Sequence, residues 1–128
     1  MKYAIQHKTN GQLVDYCDSI EQAMPLLEKY DYLELVEIKN SSKIELNYIE
    51  LGGPWGYGCN TPEFTTYGGL LKCIRHLIQY LQEAARTFGP DPREVKDYFR
   101  HCHLYVNDED KSEWLRKQTD KIGKTIFV

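Results

Sequence analysis

The sequence predicts an α+β fold: an antiparallel sheet of 4–5 strands, ordered β-β-α-β-β, packed against a long helix in the C-terminal half and two shorter helices beside it. Three observations carry this. An Asn10-Gly11 dipeptide lies between two alternating segments, the strongest short hairpin signal because both positions tolerate positive φ. A second pair of alternating segments is joined only by Asn40-Ser41-Ser42. A sustained helical periodicity then runs from Tyr67 to Phe88.

Lys2 to Lys8 and Gln12 to Cys17 form the arms of the first hairpin, with Tyr3 and Ile5 on one face and Ala4 on the other. Ser19 caps the helix that follows, and Gln22 three residues later completes a capping box. Its apolar stripe is Ile20, Ala23, Met24 and Leu27. Pro25 removes a backbone donor inside the helix, which predicts a kink or a restart there. Tyr32 to Lys39 and Lys43 to Leu51 are expected to pair with each other as antiparallel strands.

Between Gly52 and Pro62, four glycines and two prolines in eleven residues exclude a regular element. In the long helix Leu70, Ile74, Leu77, Leu81, Ala84 and Phe88 form the stripe, widened by Leu71, Ile78 and Ala85. That face is wide enough for a sheet and a second helix together. His76 falls on the polar face. Asp91-Pro92-Arg93-Glu94 starts the next helix, with Val95, Tyr98, Phe99 and Cys102 buried and Asn107-Asp108 as its end. A last short helix over Lys111 to Ile122 presents Trp114, Leu115 and Gln118, and Gly123 stops it. Thr125 to Val128 has the character of an edge strand.

The length of 128 residues suits one domain, with a core that needs no metal or disulfide staple. Hydrophobic residues at 41% and charged residues at 27% describe an ordered globular chain. The net charge of −3 argues against a direct nucleic-acid binder, which carries a basic face. Met1 to Gln6 reads as the start of a strand and not as a signal peptide, and no apolar run reaches membrane-spanning length. Cys17, Cys59, Cys73 and Cys102 are widely and irregularly spaced, so free thiols in a cytoplasmic protein are expected.

Four groups of residues bear on function. Ten tyrosines are many for this length, and several accompany acidic residues along the expected strands. Tyrosine presents an apolar ring with a wet tip and is favoured at interfaces. Tyr32, Glu34, Glu37, Glu45, Tyr48 and Glu50 would form an acidic sheet face suited to a basic protein partner. The same tyrosines also suit half-buried strand positions. The glycine-rich loop offers Trp55 and Tyr57 for stacking on a flat ring and Asn60 to read its edge, with Tyr67 at the helix entry. It lacks the Lys-Ser/Thr of a phosphate-binding loop, and it equally suits a segment that crosses the sheet with Trp55 in the core.

Cys73 with His76, and His101-Cys102-His103, hold the right ligand types for zinc without a zinc spacing. Cys59 with a histidine (His7, His76, His101 or His103) would be needed for a small hydrolase. The expected function is therefore non-catalytic binding by a small acidic inhibitor of the immunity or counter-defence type, which neutralises a toxin or nuclease. A small-molecule or nucleotide binder, possible as a homo-oligomer, is the first alternative and a Cys/His hydrolase the second. No metal or cofactor is expected.

Overall fold

The computed structural model describes residues 1–50, 59–87 and 92–118. The first hairpin forms where the sequence places it. β1 (Tyr3–His7) and β2 (Leu13–Cys17) pair antiparallel, and a register shift between Ile5 and Gln6 leaves Val14 as a bulged residue. The turn closes through His7 N–H donating to the Gln12 carbonyl and Gly11 N–H to the His7 carbonyl. α1 (Ile20–Lys29) begins at Ser19, whose hydroxyl accepts the Gln22 N–H at 3.3 Å. Gln22 Oε1 accepts the Asp18 N–H at 2.8 Å, one residue earlier than in a capping box. The helix runs through Pro25 as one element, so the expected restart does not occur. Its covered face is Ala23 with Leu26, Leu27 and Tyr30, packed over Ile5 and Leu33. Ile20 and Met24 of the expected stripe stand exposed.

The single sheet is corrected to two. β3 (Leu33–Glu37) pairs with β1, giving the order β2-β1-β3. β4 (Ser42–Glu50) pairs instead with β5 (Cys59–Gly68) and with β6 (Cys102–Val106), which continues to β7 (Glu109–Asp110) in the order β5-β4-β6-β7. The short connection between β3 and β4 is a turn that redirects the chain: Ser41 N–H donates to the Ile38 carbonyl and its hydroxyl to the Glu37 carbonyl at 2.6 Å. β3 stays at the edge of the first sheet, and β4 leaves for the second.

Two further elements differ from their expected form. Cys59 to Pro62 belong to β5 and not to an irregular loop. β5 is an edge strand, and the slip opposite Leu46/Asn47 leaves Glu63 extra, which tolerates Pro62 without its N–H. Tyr67 also lies in β5, so the long helix α2 starts later and spans Leu70–Thr87.

The helix α3 (Pro92–Arg100) ends before Cys102, and residues expected in its second half form β6. There Cys102, Leu104 and Val106 alternate on one face, opposite Tyr48, Leu46 and Ile44 of β4. Asn107 and Asp108 have φ of 51° and 67°, the two left-handed positions of a tight hairpin to β7. The last helix, α4, covers residues 112–118 among the described residues; Ile122, Gly123 and Thr125 to Val128 lie outside them.

The larger core lies between the second sheet and α2. Ile44, Leu46, Phe64 and Leu104 meet Cys73, Leu77, Leu81 and Ala85, with Phe99 and Leu115 closing the ends. The buried face of α2 is thus rotated from the expected stripe: Cys73 and His76 are inside, while Leu70, Leu71 and Ile78 are outside. No helix among the described residues is long and apolar enough to cross a membrane.

Candidate functional site

The acidic and aromatic residues expected to share a face are dispersed. Tyr32 precedes β3 and stacks on His7 with ring centroids 5.2 Å apart. Glu34 faces the seam between the sheets, where Gln6 Nε2 and Lys72 Nζ each reach its Oε1 at 3.3 Å. Glu37 lies opposite Tyr3 and receives a bond from the Asn40 amide. Glu45 pairs with Lys43 at 3.2 Å on the side of the second sheet away from α2. Tyr48 points the other way, stacked on Tyr98 against the core. The side chain of Glu50 lies outside the described residues. The five described members of this set do not share one face.

The ring-stacking set is dispersed too. Trp55 and Tyr57 lie outside the described residues. Asn60 and Tyr67 occupy opposite ends of β5, seven residues or about 23 Å apart along a strand. Tyr67 is buried, and its hydroxyl meets that of Tyr16 at 2.9 Å.

For the hydrolase reading, the side chain of Cys59 is outside the described residues. Burial pushes the Cys73 thiol up, and it holds the Cys102 thiol up at about 12, so neither is a thiolate at neutral pH. Among the described residues no three His, Cys, Asp or Glu side chains converge as a metal site requires.

The two sheets meet along a polar seam. Gln6 Nε2 donates to the Tyr67 carbonyl at 2.8 Å while its Oε1 accepts the Tyr67 N–H at 3.0 Å. Nearly two turns into α2, His76 is 8% exposed and lies against Gly11 of the first hairpin. Its Nδ1 and the hydroxyl of Thr66 are buried with no hydrogen-bond partner among the described residues. Sequence periodicity placed His76 in solvent; the hairpin folding back onto α2 is what covers it.

Burial lowers the pKa of His76, Lys72 lowers it further, and Glu34 opposes them. The unfolded chain then takes up a proton near pH 6.5 that the folded one resists. Stability conferred here is complete above that pH and falls as pH drops toward the folded pKa. Urea midpoints should therefore decline between pH 7.5 and pH 5.5, and the decline should be shallower in His76→Gln. Equal slopes for the two proteins would refute this assignment.

The open side of α2 is the candidate site. Leu70 and Ile74 form one wall of a groove of about 390 Å³, with Val106 and Trp114 as the other. Ile44, Leu77 and Leu104, all at most 1% exposed, make its floor. Among the described residues Lys111 is the one charged residue in the lining, and its Nζ meets Glu109 at 3.0 Å.

The apolar surface continues past the rim. Leu71 is 71% exposed and Ile78 40% exposed. They lie one turn either side of Ile74, so Leu70, Leu71, Ile74 and Ile78 make an unbroken strip on the helix. Isolated exposed leucines are ordinary, whereas a strip joined to an apolar groove marks a binding surface.

The signal was present in the sequence as an apolar face too wide for one neighbour. What periodicity did not disclose is which edge of that face the sheet leaves open, nor that Trp114 and Lys111 form the far wall. No protein-family model, curated protein or solved structure matches this chain.

Proposed function

We propose that this chain is a non-catalytic protein-binding module of a reducing cytoplasm, acting by occupying a partner protein as a small inhibitor does. The observation that carries the reading is the open strip of α2, which presents Leu71 and Ile78 to solvent beside a ready-made groove. Burying such residues stabilises a complex by roughly 25 cal/mol per Å² of apolar area, and one strip with its groove supplies the apolar centre of an ordinary interface. The described cysteines Cys17, Cys73 and Cys102 are free thiols, which suits a reducing compartment.

Native mass spectrometry of protein purified from its own cells tests this. The wild-type chain should carry a protein partner at fixed stoichiometry, and Leu71→Asp/Ile78→Asp should lose it while keeping its circular dichroism spectrum. A partner retained by the double variant, or a wild-type chain that carries only a small molecule, would overturn the reading.

A further inference from the structure

We infer that the groove receives one amphipathic helix of a partner protein, apolar along its contact face and acidic along its flanks. This rests on the protein-binding reading above.

The shape argument comes first. Leu70 to Ile78 covers nine residues of α2, about 12 Å at the helical rise. That is two turns of uninterrupted apolar surface running alongside the groove. An extended peptide needs an open strand edge to bond, whereas a helix satisfies its own backbone and needs only a row of side-chain sockets. The site offers sockets: a floor of Ile44, Leu77 and Leu104 between the α2 wall and Trp114. A free amphiphile would fill the groove but leave Leu71 and Ile78 uncovered.

Charge then selects the flanks. Arg75 stands beside Leu71 and Ile78 on the helix surface, exposed, and makes no ion pair among the described residues. Lys111 stands on the opposite wall. Its partner Glu109 is itself 71% exposed, so that pair is readily exchanged. Arg116 and Lys117 lie further along α4, at a separate hollow that Asp110 and Glu113 also line. The Asp110 carboxylate is engaged by the Ser112 N–H at 2.9 Å. Cations thus border both edges of the apolar surface. A second copy docked by two-fold symmetry would set its own Arg75 and Lys111 against this rim, which disfavours a homodimer here.

The probes are two synthetic amphipathic peptides of about 16 residues with leucines at i, i+4 and i+7, one flanked by Glu and the other by Lys. Binding is read by calorimetry and by methyl and indole NMR shifts. The Glu-flanked peptide should bind saturably, shift Ile74, Val106 and Trp114, and bind about tenfold more tightly than its Lys-flanked counterpart at low salt, with the difference shrinking at high salt. Arg75→Glu/Lys111→Glu should reverse the preference.

Equal affinities for the two peptides would overturn the inference. So would saturable filling of the groove by decanoate when neither peptide binds. If no peptide binds while Leu71→Asp/Ile78→Asp still loses its native partner, this inference fails and the protein-binding reading stands. If the double variant keeps that partner, the reading itself fails.

Discussion

Gly11→Ala should lower the stability of this protein by about 3 kcal/mol, the sum of two independent penalties. The first is conformational. Gly11 has φ of +73°, and an L-residue held in the left-handed region costs about 1–2 kcal/mol. The second is steric. A Cβ at this position would lie 2.1 Å from His76 Nδ1, 2.7 Å from its Cγ and 2.6 Å from Thr66 Oγ1. His76 is buried, and overfilling a packed site costs roughly 1–3 kcal/mol.

The urea midpoint should drop by more than about 1 M with an unchanged slope. Gly69→Ala is the control, because a Cβ there meets nothing within 4 Å. His76→Ala in the Gly11→Ala background should return the His76 share of the steric cost and leave the Thr66 contact and the conformational part. If Gly11→Ala changes stability by less than about 0.5 kcal/mol, the hairpin does not sit on α2 as described.

The elements that the sequence disclosed are those specified by local chemistry. Asn10-Gly11 marks a hairpin because its dihedral demand is met within the turn, and Ser19 marks a helix start because its hydroxyl needs only the Gln22 N–H. The periodicity of α2 is likewise intrinsic to its eighteen residues.

The elements that were misread depend on distant partners. Cys102 to Val106 carries no strong helical or strand preference, and it becomes β6 because Ile44, Leu46 and Tyr48 lie alongside. Asn107-Asp108 was legible as a chain reversal, but the same pair also suits a helix end; only φ separates the two. The separation into two sheets follows from β4 pairing with β5 and β6 and not with the open edge of β3, a choice that Asn40-Ser41-Ser42 does not encode.

The candidate site shows the same division. That α2 carries more apolar surface than one sheet can cover was visible in Leu70, Leu71, Ile74 and Ile78. Which of these remain open was not, because the rotation of α2 brings Cys73 and His76 inward, the histidine against its place on the polar side of the periodicity. His76 goes in because Gly11 has no side chain to keep it out. The polar seam between hairpin and helix therefore sets the angle at which α2 presents its open strip.

Gln6 is the centre of that seam, and its replacement is the second large effect expected. It lies on the central strand β1 and is 0% exposed. Among the described residues β5 is an edge strand, so the Tyr67 N–H and C=O that point away from β4 have no neighbouring strand there; the Gln6 amide meets both, at 3.0 Å and 2.8 Å. Gln6→Leu keeps the volume and strands two buried backbone groups, each at a cost of about 1–3 kcal/mol, so a loss of about 3 kcal/mol is expected.

Gln6→Glu distinguishes bonding from volume. The ionised carboxylate has no proton for the Tyr67 carbonyl and sits near Glu34, whereas the protonated acid can donate. Burial raises the folded pKa of that acid, so the variant should gain stability relative to wild type as pH falls from 7 to 5.

Hydrogen exchange then locates the damage. If the seam joins two otherwise separate cores, the amides of β1 and β3 should exchange faster in Gln6→Leu while those of β4 and β6 keep their protection. A uniform loss across both sheets would mean that they unfold as one unit, with Gln6 one contact among many. A selective loss would mean that a single side-chain amide couples the hairpin to α2, and that the open strip can be loosened without touching a residue in it.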